Sequence, residues 1–286
     1  MSGNQGNLFR AEQVPNNDQL LLGTSSWTGD GWVGSFYPAG MKPADFLRFY
    51  SQRFRTVEID STFYRIPGVN TVKQWRERTP EGFLFAVKVP QSVTHEKVLV
   101  DAEGDLKEFL SVMDLLGDRL GPLLLQFPYL NKTKFRSLGF FLETLTPFLK
   151  DLPKGYRWAV EIRNKNWLSE KLYVVLRQYG VALALVDHAW MPRPQEYFDA
   201  GDPVTADFSY IRWIGDRKGI EQQTTRWDRM IVNREDEMEE WIPVIRQILK
   251  RRICVMGFFN NHYAGWAPGS IELFERMWKK LCHEPV

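Results

Sequence analysis

The sequence predicts a single-domain α/β fold, a (β/α)8 TIM barrel with parallel strands. Eight apolar runs of strand length alternate with amphipathic segments along the 286 residues. Such alternation sets strands parallel, joined by crossover helices, and eight such units close a barrel. The runs also end in charged or amide side chains, as strands do when their C-terminal ends meet in one mouth. A doubly wound open sheet is the competing arrangement. It needs fewer strands, and no glycine-rich phosphate loop follows the first run.

The elements follow in order. Leu20-Leu21-Leu22-Gly23-Thr24 is the first strand, and a Ser/Gly/Trp-rich loop runs from Ser25 to Gly40. Pro43 suits the first turn of a helix near 44–54. The second strand ends in Glu58 and Asp60, and the next helix spans 69–78. The third strand ends at Lys88, ahead of a long loop with His95 and a helix near 103–116. Gly121-Pro122 opens the fourth strand, which ends at Gln126. The spacing of Phe135, Leu138, Phe141, Leu142, Leu145 and Phe148 predicts a helix over 133–150. Trp158 to Arg163 is the fifth strand, and Gly180 marks the end of a helix over 168–179. The sixth strand ends at Asp187, and the proline-rich stretch 189–207 is irregular. Strand seven is 208–214, and 215–234 is a polar loop. The helix over 235–250 carries acids early and bases late, which suits its dipole. Strand eight is 253–259 and the last helix 269–281.

Composition narrows the class. With 44% hydrophobic and 25% charged residues, the chain can bury one large core. Residues 1–18 are polar and read as a flexible tail, and 19–286 form the barrel domain. A net charge of +2 with no basic stripe argues against a nucleic-acid partner. No stretch approaches a membrane span, and the N-terminus lacks a signal-peptide pattern. Cys254 and Cys282 make no disulfide framework, so reduced thiols in a cytoplasmic protein are expected.

Residues two apart on a strand share a face, so Glu58 pairs with Asp60 and Glu161 with Arg163. Val57, Ile59, Val160 and Ile162 take the helix-facing side, which leaves the charges for the barrel interior. Burying them unpaired would cost several kcal/mol each. Opposite charges meeting across the mouth remove most of that cost. Glu58, Asp60, Lys88, Gln126, Glu161, Arg163, Asp187, Arg212 and Asn260 are therefore expected to share one nearly neutral cavity. Glu58, Asp60, Lys88, Glu161 and Asp187 are the candidate catalytic groups. Trp27, Tyr64, His95, Gln126, Arg163, Arg212, Asn260, Asn261 and His262 are the candidates for substrate binding. Trp27, Tyr64, Trp167, Trp190, Trp213 and Trp266 follow or close strand ends, where they serve either ligand stacking or rim packing.

Several stretches carry a family resemblance. Gly23-Thr24-Ser25-Ser26-Trp27 with Phe36-Tyr37-Pro38 resembles the start of the DUF72 family, the YecE-like proteins. So do Val57 to Arg65, Phe85-Ala86-Val87-Lys88 with Thr94-His95, and Leu124 to Pro128. Glu161-Ile162-Arg163 with Trp167, Tyr210-Ile211-Arg212 and Phe259-Asn260-Asn261 continue it, from about Leu20 to Leu281. The resemblance implies a TIM barrel and names no reaction. Asp60 departs from it, standing where Asn is common, as does Trp213-Ile214-Gly215, where a pair ending His-Gly is common.

The chemistry expected of the mouth is that of an enzyme on a small polar, anionic or sugar-like substrate. Carboxylates with Lys and Arg suit a hydrolase, an isomerase or a lyase, and two facing acids are the minimum for glycosidic cleavage. A phosphorylated or carboxylated ligand would find Arg212, Arg217, Lys218 and the start of the last helix after strands seven and eight. A divalent metal is an alternative, with His95, His188 and His262 in loops beside carboxylates but no short His/Cys spacing. Two other classes stand beside the small-molecule enzyme: a nucleic-acid-processing enzyme and a non-catalytic ligand-binding barrel.

Overall fold

The computed structural model describes residues 19–283 apart from 132 and 134. The expected tail and the side chain of Cys282 lie outside the described residues. Eight parallel strands lie in the order β1-β8-β7-β6-β5-β4-β3-β2. They are β1 (Leu20–Thr24), β2 (Thr56–Ile59), β3 (Leu84–Lys88), β4 (Leu120–Gln126), β5 (Trp158–Glu161), β6 (Ala182–Asp187), β7 (Phe208–Trp213) and β8 (Cys254–Phe259). Each of the eight sequence-predicted strands is present, within a residue or two of its expected bounds.

The helices between them are α1 (Pro43–Tyr50), α2 (Val69–Glu77), α3 (Glu103–Met113), α4 (Leu138–Asp151), α5 (Glu170–Gln178), α6 (Glu196–Asp199), α7 (Arg217–Glu221), α8 (Glu235–Lys250), α9 (Asn261–Ala264) and α10 (Ala267–His283). Two expectations are corrected. Helix α4 starts at Leu138, because Ser137 is extended (φ −159°, ψ 170°). Phe135 keeps its helical phase only by packing edge-on against Phe141, with ring centroids 5.5 Å apart. The polar loop after β7 also holds one short helix, α7, and α9 precedes the last helix.

Two cores flank the sheet. The larger fills the space between strands and helices, and a smaller one fills the barrel. In the barrel, Ala86, Ala159, Ala182 and Ala184 leave room that Tyr210, Met256 and Phe258 occupy. Small and large residues from different strands thus complete the layers. On the outer face, a Cβ at Gly257 would lie 2.6 Å from the Trp213 ring. Its absence lets the Trp213 indole stack on Phe259 at 4.1 Å.

Side-chain hydroxyls finish the sheet where strands part. At the β1–β2 seam the Tyr50 hydroxyl accepts from the Thr24 amide at 2.9 Å and donates to the Thr56 carbonyl at 3.2 Å. A Cβ on Gly23 would lie 2.2 Å from that same carbonyl oxygen, so the seam admits only glycine there. Pairing between β5 and β6 covers only Ala159↔Ala182 and Val160↔Leu183. Beyond it, Val186 gives its N–H to the Tyr197 hydroxyl at 3.0 Å and accepts from it at 3.1 Å. A buried backbone pair left open there would cost on the order of a lost hydrogen bond or more.

Candidate active site at the barrel mouth

The interior face climbs each strand in steps of two, and the apolar layer gives way to charge near the C-terminal ends. Lys88 follows Ala86, Glu161 follows Ala159, and Arg212 follows Tyr210. Arg212, 2% exposed, is the centre. Its Nη1 donates to Glu161 Oε2 at 2.7 Å, and its Nη2 donates to Glu58 Oε1 at 2.6 Å and to Asp60 Oδ1 at 3.2 Å. Tyr210 donates its hydroxyl to the other Glu58 oxygen at 2.6 Å. The Arg163 Nε donates to Glu161 Oε1. Glu58 and Glu161 are fully buried, and each carboxylate oxygen of theirs accepts from a named donor. Charge-assisted bonds of this length are the strong ones.

The second tier faces the mouth. Lys88 Nζ lies 4.0 Å from Asp60 Oδ1 and 3.9 Å from the Phe63 ring centroid, a cation–π contact. His95 packs edge-on against the other side of this cluster, 4.7 Å from the Phe63 ring, with its Nδ1 2.9 Å from Thr94 Oγ1. Tyr64, 71% exposed, also packs edge-on against Phe63 at 5.0 Å. A cleft of about 960 Å³ opens where β4, β5 and β6 end, with Gln126, Arg163 and His188 on its lining together with the exposed rings of Tyr129 and Trp190.

Burial and neighbours separate the protonation behaviour of these groups. Burial, together with the Glu58 carboxylate, pushes the Asp60 carboxyl up to about 6 against the pull of Arg212 and Lys88. Burial likewise lowers Lys88, although Asp60 opposes it. Burial would raise Glu161, but Arg163 and Arg212 outweigh it and hold the carboxyl down at about 2. Glu161 is therefore a permanent anion, while Asp60 titrates near neutrality beside a weakened ammonium.

Of the residues expected in one cavity, Glu58, Asp60, Lys88, Glu161, Arg163 and Arg212 do converge, and Gln126 and Arg163 line the cleft. Three carboxylates meet three cations, in keeping with the expected neutrality. Asp187 does not join them. Ala182 and Ala184 take the interior phase of β6, so Asp187 falls on the helix side. There it accepts from Trp241 Nε1 at 2.8 Å and the Tyr263 hydroxyl at 3.2 Å, and faces Arg193 at 3.6 Å. Burial raises its pKa, with those donors pulling the other way.

The residues expected after β8 are engaged in capping. Asn260 Oδ1 accepts from the His262 amide at 3.0 Å, and Asn261 Oδ1 from the Ala267 amide at 3.0 Å. His262 Nε2 sits 3.1 Å from Glu221 Oε1, which also accepts from Arg217 at 2.8 Å. Trp27 packs on Trp75 at 5.3 Å, in the layer between sheet and helices. Trp167 and Trp213 are buried, whereas Trp190 is 78% exposed. Among the described residues, no three His, Cys, Asp or Glu side chains gather as a metal site, and no helix is long and apolar enough to cross a membrane. Tyr210, Phe63, Tyr129 and Lys165 were not singled out beforehand. Tyr210 had a legible signal, since it shares a strand face with Arg212.

Comparison with known proteins gives the family and agrees with the fold. The family model described as "Protein of unknown function DUF72" matches residues 21–285. UPF0759 protein YecE of Escherichia coli K12 is 28% identical over 280 residues, covering 92% of each chain. UPF0759 protein YunF of Bacillus subtilis 168 is 30% identical over 89% of this chain and 100% of its own. The crystal structure of a DUF72 family protein from Thermotoga maritima superposes with a TM-score of 0.68 at 28% identity, covering 93% of this chain and all of the other. The chain is a member of the DUF72 family, built as an eight-stranded parallel barrel.

Proposed function

We propose that this protein is an enzyme that moves a proton on a small polar substrate, anionic or sugar-like, by isomerase or lyase chemistry. The observation that carries the reading is the Lys88–Asp60 pair, 4.0 Å apart at the mouth, with Asp60 raised to about 6 and Lys88 lowered. Two groups whose pKa values are drawn toward neutrality can exchange the roles of acid and base within one turnover. Arg163, on the cleft lining, adds positive charge at the mouth, which favours an anionic substrate.

The buried tier argues against the two-carboxylate hydrolysis that the sequence also suggested. Glu58 and Glu161 have no exposure and are saturated by Arg212, Tyr210 and Arg163, so neither is free to act as a nucleophile. Their work is to hold Arg212, and through it Asp60.

The reading is tested by solvent exchange. The protein is incubated in D2O with a panel of hydroxycarbonyl sugar phosphates and α-hydroxy and α-keto acids, aryl-substituted acids included. Loss of a carbon-bound proton signal is followed by NMR. The expected result is exchange on at least one compound, slowed more than tenfold by K88M and by D60N. No exchange across the panel, exchange unchanged in both variants, or release of a hydrolysis product instead would overturn it.

A further inference from the structure

The cleft at the ends of β4, β5 and β6, linked to the Lys88–Asp60 pair through Arg163, Glu161 and Arg212, is larger than proton transfer requires. At about 960 Å³ it lies toward the upper end of small-molecule sites, which run from about 300 to 1,000 Å³. Its edges are two aromatic rings that water reaches freely: Trp190 is 78% exposed and Tyr129 68% exposed. An indole left that open gives up most of the burial that normally stabilises it. Both rings stand on loops that leave strand ends at the mouth, after β6 and after β4.

Beside the Gln126 and Asn166 amides, the basic groups on the lining offer donors. Arg163 spends its Nε on Glu161, and its two terminal nitrogens bear no hydrogen bond among the described residues. Among the described residues Lys165 is tied only to Glu196, at 3.4 Å on the surface, a pairing weak enough for a ligand to displace. His188 Nδ1 accepts from the Trp190 amide at 3.3 Å, which leaves Nε2–H as a donor. Burial lowers the pKa of this imidazole and the nearby Arg163 does the same, so it faces the cleft neutral. Among the described residues no carboxylate lines this cleft.

We propose that the cleft binds the far end of the substrate, and that this end is a flat aromatic ring joined to an anionic group. The ring stacks on Trp190 and Tyr129, and the anion takes the free nitrogens of Arg163 and the ammonium of Lys165. A nucleoside monophosphate and an aryl carboxylate both present that chemistry. Binding energy collected at this end can hold the reactive end over Lys88 and Asp60. The inference deepens the reading of the mouth as an enzyme site, on which it rests for which end reacts.

The test is ligand-observed saturation-transfer NMR on the full chain with four probes: adenosine 5′-monophosphate, indole-3-acetate, glucose 6-phosphate and glycerate. At least one aromatic acid is expected to bind ten times more tightly than glucose 6-phosphate, and which of the two does so distinguishes the phosphate from the carboxylate source. W190A, at an exposed position that leaves the core untouched, should weaken that binding at least tenfold. D60N should leave it within twofold. Equal binding of glucose 6-phosphate, no aromatic binding at millimolar concentration, or an unaffected W190A would overturn the proposal. Intact aromatic binding in a K88M variant that still exchanges protons normally would sink the acid–base reading alone.

Discussion

Replacing Arg212 with Met should be among the costliest single changes in this barrel. The side chain makes bonds of 2.6, 2.7 and 3.2 Å to three carboxylates and is almost wholly buried. Its loss leaves three acids facing two cations. Glu161 keeps Arg163, but fully buried Glu58 keeps only the Tyr210 hydroxyl. Breaking a buried pair by removing one partner costs about 3–5 kcal/mol, chiefly because the other charge is stranded. For a domain of this size that is roughly a 10 °C fall in melting temperature. The stranded charge can then be removed in turn. R212M combined with E58Q should recover about 2 kcal/mol or more of the loss, since a neutral amide still accepts from Tyr210. Urea unfolding at pH 8 of the wild type, both single variants and the double variant measures the cycle. A loss below about 1 kcal/mol for R212M, or an E58Q change that adds its own cost on top, would show that Arg212 is not what compensates the buried acids.

Two further outcomes follow from the same geometry. Asp60 has a folded-state pKa of about 6, above the ordinary carboxyl value of 3.8, so the stability it contributes is complete below about pH 4 and is lost as pH rises through about 6. Wild-type stability relative to D60N should therefore decline across that window and stay level above it, as read from urea midpoints at half-unit pH steps; a difference that rises with pH would contradict the raised pKa. Y50F should cost about 1–3 kcal/mol, because it strands the buried Thr24 amide and the Thr56 carbonyl that the hydroxyl joins, and a midpoint unchanged within error would show that β1 and β2 satisfy each other without it.

The strands were legible because each buried run is short, apolar and ended by a polar group that only a mouth could accommodate. The ion cluster was legible for the same reason: Glu58, Asp60, Glu161, Arg163 and Arg212 each follow a Val or an Ile. Asp187 misled because it too ends an apolar run, yet it lies one step out of phase with Ala182 and Ala184. The small residues, not the charged one, mark which side of β6 faces in, since the barrel centre has room only for some large side chains. Asn260, Asn261 and His262 misled differently. Short polar side chains after a strand look like ligand groups, but they also suit helix starts, and α9 and α10 use Asn260 and Asn261 that way. The start of α4 was misplaced because Phe135 is in helical phase with residues it only packs against.

The hydroxyl of Tyr197 that closes off Val186 has a wider meaning. The Lys88–Asp60 pair, to which proton transfer is assigned above as a proposal, stands at the ends of β2 and β3, whereas the gap above β5 and β6 is finished by a residue from the short helix α6. The pair and the lining of the cleft thus belong to separate stretches of chain. Lengthening or recasting residues 188–207 would reshape the Trp190 side of the cleft without moving Lys88 or Asp60.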